Sequence, residues 1–139
     1  MFREILVGID GSEHALKAAE TAGNLARCLN ANITLVACTD PIPKYMGDSN
    51  REDIIARRMV EAEEILRPAI DIIGDIPGTL STDILEGPPA EVIITLAETR
   101  KIDLIVMGTR GLGRMSGFLF GSQSQKVAAN ANCPVMLVR

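Results

Sequence analysis

Residues 103–124 read DLIVMGTRGLGRMSGFLFGSQS, and this stretch decides how the rest of the chain is interpreted. It opens with a continuous apolar run from Leu104 to Met107, which is typical of a strand covered on both faces. Closely spaced glycines follow, and Ser122 and Ser124 lie at the start of a predicted helix. Free N–H groups and the helix dipole favour an anion at such a start. A strand, a glycine-rich loop and a helix in this order predict an anion-binding turn.

Apolar runs alternate with helical patterns along the whole chain. We predict strands over 5–9, 33–38, 79–85, 103–108 and 134–138, and helices between 12 and 30, over 51–73, from 87 onwards and over 122–131. Strands that alternate with helices indicate an α/β fold, here a single domain over 1–139 with an open parallel sheet and helices on both faces.

Two helices carry spacings that predict their buried faces. In the first helix these are Leu16, Ala19, Gly23, Ala26 and Leu29; in the second they are Ile54, Ile55, Met59, Ala62, Ile65, Leu66, Ala69 and Ile73. Pro68 lies inside the second pattern and is expected to kink or divide that helix.

Ligands of an open parallel sheet bind beyond the carboxyl ends of strands, where the strand order reverses. Two segments that directly follow predicted strands are unusual in composition, the turn over 8–12 and the glycine-rich stretch over 108–124. The sequence therefore predicts a ligand site built from these two segments.

Composition argues against several classes of protein. The 139 residues carry a net charge of −4 and only 3% aromatic side chains, which is unlike a nucleic-acid binder. No apolar run approaches the roughly 18 residues of a membrane helix, and no signal-peptide pattern is visible at the N-terminus. The three cysteines form no C-x-x-C pair, which argues against a disulfide framework or a zinc site. We expect a cytoplasmic protein that binds neither nucleic acid nor membrane.

The glycine-rich stretch fits neither of the better-known nucleotide motifs. Arg114 and Met115 stand where a P-loop needs Lys and Ser or Thr, and the stretch follows the fourth strand rather than the first, unlike a dinucleotide fingerprint. It does fit the pattern G-x2-G-x9-G-[ST], at Gly108, Gly111 and Gly121-Ser122. The chain contains no G-x-S-x-G or H-E-x-x-H motif and no kinase signature set, so no catalytic residue is predicted.

This four-point motif, together with its flanks, resembles the ATP-binding type of universal stress protein. The resemblance extends to the opening strand and turn over 5–12, the strand over 103–108 and the closing strand over 132–138. It implies a Rossmann-like fold of the adenine nucleotide alpha hydrolase type, with strand order 3-2-1-4-5. It also implies ATP between the ends of strands 1 and 4, with Mg²⁺ or Mn²⁺ on the phosphates, and a homodimer formed through the strand over 135–138.

The resemblance also implies site residues. Asp10 would meet the adenosine with Gly8 and Ile9 beside it, Ala37 would line the adenine, and Met107 and Gly108 would flank the nucleotide. Gly111, Gly121, Ser122, Gln123 and Ser124 would hold ribose and phosphates, with Arg110 assisting.

Simpler interpretations of the same residues stay open. Gly8 and Asp10 are also common turn formers, Gly121-Ser122 is also a helix cap, and Arg110 is also an ordinary loop charge. We interpret His14 as a surface residue. The functional hypothesis is an ATP-binding regulatory protein of the stress response. A slow ATPase or self-phosphorylating enzyme is the first alternative, and a nucleotide-free dimeric interaction module is the second.

Overall fold

The computed structural model describes residues 1–44, 47–109 and 122–139. Strands and helices alternate along the chain as β1 (Glu4–Gly8), α1 (Glu13–Leu29), β2 (Asn32–Thr39), α2 (Asp48–Ile73), β3 (Leu80–Glu86), α3 (Pro89–Thr99), β4 (Leu104–Gly108), α4 (Ser122–Asn130) and β5 (Val135–Val138). Each predicted strand and helix is present, and no bound shifts by more than three residues.

The strands form one parallel sheet in the order β3-β2-β1-β4-β5, which confirms the predicted α/β fold and topology. The interiors of β1, β2 and β4 are buried throughout, because helices cover both of their faces. No residue of β3 or β5 is fully buried, as expected of the two edge strands.

Helix α1 packs closely because its inward face is made of small residues. A Cβ on Gly23 would lie 3.3 Å from the Cα atom of Ile73, so α1 and α2 touch at backbone distance there. The buried residues of α1 are Ala15, Ala18, Ala19, Ala22, Gly23 and Ala26. Leu29, predicted to face inward, is exposed instead. It lies in the last turn, directly before the chain reverses through Asn30 in the left-handed conformation.

Helix α2 differs from its prediction in two ways. It begins at Asp48 rather than at 51, and Pro68 does not divide it, because the helix continues to Ile73. Among its residues from 50 onwards, the buried ones begin at Ala62 and lie in its C-terminal half, whereas Ile55 and Met59 are exposed. The physical reason is length: 26 helical residues extend about 39 Å, whereas the eight residues of β2 extend about 26 Å. The N-terminal half therefore extends beyond the core that its apolar residues were predicted to cover.

Helices α1 and α2 cover one face of the sheet, and α3 and α4 cover the other. None of the helices in the described part of the chain is long and apolar enough to span a bilayer.

Candidate functional site

The strand order reverses between β1 and β4, and this places the site. From β1 the chain proceeds outward through β2 to β3, and then returns to the other side of β1 as β4 and β5. Val7 pairs with Val106, so the carboxyl ends of β1 and β4 lie side by side. Two predicted segments, the turn after β1 and the start of α4, therefore follow neighbouring strands at one edge of the sheet.

The turn after β1 is fixed by a short hydrogen-bond relay. Asp10 Oδ1 accepts hydrogen bonds from the backbone N–H of Ser12 at 3.0 Å and from its Oγ at 2.6 Å. Ser12 Oγ in turn accepts from the N–H of Ala15 at 3.2 Å and caps α1. Gly11 has φ of +84°, a conformation that favours glycine. Asp10 thus forms the turn and remains an exposed carboxylate beside the crevice.

Gly108, at the end of β4, is required by packing against α1. A Cβ there would lie 2.7 Å from the carbonyl carbon of His14 and 2.8 Å from its Cβ and oxygen. His14 is therefore half-buried against the end of β4, not a surface residue as predicted. Its Nδ1 is buried without a hydrogen-bond partner among the described residues.

Gly8, at the end of β1, faces the opposite layer. A Cβ there would lie 2.8 Å from Cδ1 of Ile93 and 4.0 Å from Cε of Met107. Ile93 belongs to α3, so this glycine lets a helix side chain reach the end of the strand. Gly8 and Gly108 therefore each have a packing role, whether or not they also contact a ligand.

Three apolar residues predicted to contact the nucleotide form the ends of the core. Ile9 extends the β1–β2 pairing, because its N–H donates to the carbonyl of Val36 at 2.8 Å. Ile9 and Ala37 are buried on the α1–α2 side, and Met107 is buried on the α3–α4 side. They shape the floor of the crevice and present little of their own surface to it.

The first turn of α4 holds three predicted site residues in three different environments. Ser122 is exposed. The side chain of Gln123 turns away from the crevice, and its Oε1 accepts from the N–H of Ala90 at 2.9 Å in the first turn of α3. Ser124 is buried, and its hydroxyl donates to the carbonyl of Thr109 at 3.4 Å.

Two contributions of this region were missed by sequence reasoning. Gln123 caps α3, because the N-cap residue of that helix, Pro88, has no side-chain acceptor. The proline in the sequence indicates that another residue must cap α3, but it does not indicate which one. Thr109 is buried and extends the β4–β5 pairing by donating its N–H to the carbonyl of Val138 at 2.9 Å. No sequence signal pointed to Thr109. The predicted site residues Arg110, Gly111 and Gly121 lie outside the described residues.

The cysteines give the site no nucleophile. Burial raises the pKa of the Cys38 thiol to about 11, and burial, followed by the charge of Asp103, raises the pKa of Cys133. Both thiols stay protonated at neutral pH and are weak nucleophiles. Within 1–44, 47–109 and 122–139, no three His, Cys, Asp or Glu residues are grouped so as to hold a metal ion. The described site can therefore offer a carboxylate, a hydroxyl and helix N–H groups to a polar ligand.

Comparisons with known proteins agree with this arrangement. The universal stress protein family model matches residues 1–139. A universal stress protein of Thermus aquaticus is 44% identical over 139 residues, which is 100% of both chains. The solved structure of universal stress protein UspA from Lactobacillus plantarum superposes with a TM-score of 0.85 at 27% identity, over 99% of this chain and 98% of that one.

Two further solved structures were determined with adenine nucleotides. A universal stress protein in complex with cAMP has a TM-score of 0.78 at 27% identity, over 99% of this chain and 97% of that one. The universal stress protein from Archaeoglobus fulgidus in complex with dAMP has a TM-score of 0.73 at 27% identity, over 100% of both. The family model, the sequence relative and the shared topology lead to one conclusion: the chain belongs to the universal stress protein family.

Proposed function

We propose that the chain is an ATP-binding regulatory protein of the stress response, with the nucleotide between the carboxyl ends of β1 and β4. One observation carries the proposal: the strand order reverses where the exposed Asp10 and the first turn of α4 follow neighbouring strands. The relatives solved with cAMP and dAMP support an adenine nucleotide as the ligand class.

The groups on either side of the crevice are suited to opposite ends of a nucleotide. The exposed carboxylate of Asp10 is an acceptor, as hydroxyl and amino groups of an adenosine require. Both of its hydrogen bonds to Ser12 use Oδ1, and they hold the carboxylate in one orientation. The N–H groups at the start of α4 and the exposed hydroxyl of Ser122 are donors, as phosphate requires. The hydroxyl of Ser124 would hold the start of α4 against the end of β4 through its hydrogen bond to Thr109.

We assign any Mg²⁺ or Mn²⁺ to the phosphates rather than to a protein site, because the described residues group no metal ligands. The ion would neutralise phosphate charge when it is bound. The segment 110–121, with its predicted ligands Arg110, Gly111 and Gly121, would complete the phosphate side.

Nucleotide binding can regulate the protein if the nucleotide binds one conformation of the site more tightly than another, because it then shifts the population towards that conformation. Partner choice would then depend on nucleotide occupancy in the cytoplasm. The outer edge of β5, which pairs with no strand of residues 1–44, 47–109 and 122–139, would pair two copies of the chain, because an apolar edge strand with Met136 exposed is suited to pairing.

Titration calorimetry with ATP tests the proposal on three proteins. Ser122→Ala should weaken binding by about 1–3 kcal/mol, the scale for a hydrogen bond to a charged group. Gly121→Val should weaken it more, because a branched side chain blocks close approach of the backbone to the phosphates. Gln125→Ala is the control, since Gln125 lies on the same helix and is exposed. If the Gly121→Val protein bound ATP as tightly as the wild type does, the assignment of the phosphates to the start of α4 would be wrong.

The same samples distinguish a protein that only binds ATP from an enzyme that turns it over. A binding protein should leave ATP intact over hours, whereas an ATPase releases ADP and a self-phosphorylating protein gains the mass of a phosphoryl group. Steady ADP release by the wild type that Gly121→Val abolishes would replace the regulatory proposal with an enzymatic one.

A further inference from the structure

A groove lies on the face of the sheet that α3 leaves uncovered. Helix α3 packs mainly over β1 and β2 and against α4, and it contacts β3 less closely, through Leu85. The space between the end of β3 and α3 is a groove of about 410 Å³. Its lining residues are Leu85, Glu86, Gly87, Pro88, Glu91, Val92, Thr95, Leu96 and Thr99. The groove is separate from the crevice between β1 and β4, because β2 and β1 lie between them in the sheet.

The chemistry of this groove is apolar with negative charge. Leu85, Val92 and Leu96 supply aliphatic surface, and Glu91 supplies an exposed carboxylate. The carboxylate of Glu86 faces the loop after β2 instead, because its Oε1 accepts a hydrogen bond from the N–H of Ile42 at 2.9 Å. No Lys or Arg occurs among the described residues that line it. The nearby guanidinium of Arg100 is paired with Asp83 at 2.7 Å. The groove is therefore complementary to a partner that carries both aliphatic and cationic groups.

Beside the groove, the outer edge of β3 pairs with no strand of the described residues. Ile33 donates its N–H to the carbonyl of Thr79, and Gly87 donates its own to that of Thr39. Backbone groups alternate in direction along a strand, so the odd-numbered residues of β3 bond to β2. The N–H and C=O groups of Thr82 and its even-numbered neighbours then point away from the sheet.

We infer that β3 and this groove bind an extended, basic segment of a partner protein by β-strand addition. A strand paired with the even-numbered residues of β3 would place alternate side chains over the uncovered face, where Leu85, Val92 and Leu96 lie. A lysine or arginine of the partner would lie near Glu91, and would be held more tightly at low salt. Main-chain bonds supply affinity, and the aliphatic and acidic lining supplies selectivity.

The probe is a fluorescein-labelled seven-residue peptide with valine at its third and fifth positions, threonine at its second, fourth and sixth positions and lysine at each end, so that the valines and lysines share one face of the strand. Lysine at both ends makes the test independent of strand direction. A matched peptide with glutamate in place of both lysines has the same strand propensity and the opposite charge. Fluorescence anisotropy at low salt should show binding of the lysine peptide and about tenfold weaker binding of the glutamate peptide. It should show the same affinity with and without ATP.

Three variants locate the binding. Thr82→Pro removes an outward N–H and leaves the β2 ladder intact, so it should weaken binding about tenfold, whereas Thr82→Ala keeps that N–H and the affinity. Thr95→Trp obstructs the groove from an exposed helical position and should weaken binding similarly. Glu91→Gln should weaken binding and reduce its salt dependence, whereas Glu20→Gln on α1, on the other face, should do neither.

Each outcome decides for or against the inference. Loss of binding in Thr82→Pro and Thr95→Trp, with retention in Thr82→Ala, supports it. Equal affinity of Thr82→Pro and Thr82→Ala, equal affinity of the two peptides, or no binding of the lysine peptide overturns it. Thermal unfolding identifies a variant that fails to fold, and if Thr82→Pro does so, Thr95→Trp alone decides.

Discussion

Replacing Gly108 by alanine tests how tightly α1 is seated on the end of β4. The added Cβ would lie 2.7–2.8 Å from three atoms of His14, two of which are backbone atoms of α1. A helix backbone cannot rotate away as a side chain does, so α1 or β4 must shift. Overpacking of this kind costs about 1–3 kcal/mol. For a chain of this size we expect Tm to fall by about 3–8 °C.

Gly8→Ala is the matched comparison, because its Cβ would meet the terminal Cδ1 of Ile93 at a similar 2.8 Å. That methyl group lies at the end of a side chain and can move, so we expect a smaller loss of stability. Gly47→Ala is the control for packing, since no atom of the described residues lies within 4 Å of its Cβ position. Differential scanning calorimetry on the three variants gives the order. If Gly108→Ala melts within 1 °C of the wild type, or if Gly8→Ala is the less stable of the pair, the packing argument is wrong.

Further predictions concern a helix cap and the thiols. Gln123→Ala should lower the free energy of unfolding, measured by urea denaturation, by about 1 kcal/mol, because the N–H of Ala90 loses its acceptor. Gln125→Ala should change this free energy little, and equal effects of the two substitutions would show that Gln123 does not cap α3. At pH 8 iodoacetamide should alkylate the exposed Cys28 well before Cys38, and the Cys38 rate should keep rising towards pH 11; a plateau near pH 9 would contradict the effect of burial. The folded chain keeps the Cys38 proton up to a pKa of about 11, and the unfolded chain loses it near 9.0. The stabilising contribution is therefore complete below pH 9 and is lost as the pH rises to 11, and Cys38→Ser should flatten this decline in urea-denaturation midpoints.

The fold was readable from the sequence because its signals are local. Apolar runs such as Leu104 to Met107 and the small residues of α1 each specify an element, and the alternation of elements implies a parallel sheet. The strand order itself came from the resemblance to the family. The errors arose where a local pattern does not determine its surroundings. Ile55 and Met59 have helical spacing, but how far α2 extends beyond the sheet depends on the relative lengths of α2 and β2.

The candidate site was only partly predictable for the same reason. The position of the crevice follows from chain order, and the turn at Asp10 follows from its residue types. The environments of Gln123 and His14 do not follow from the local sequence. Gln123 bonds to Ala90, which lies 33 residues away in α3, and His14 packs against Gly108 at the end of β4. A motif read along the chain placed Gln123 and Ser124 on the phosphate. The structure shows that their side chains bond to Ala90 and Thr109.

A crystal structure of the chain soaked with millimolar ATP would show where on the protein the nucleotide binds. We predict electron density for the nucleotide between the carboxyl ends of β1 and β4, with Asp10 near the adenosine and the N–H groups at the start of α4 near the phosphates. Nucleotide density at another surface, or a crevice filled by the protein's own side chains, would contradict the account.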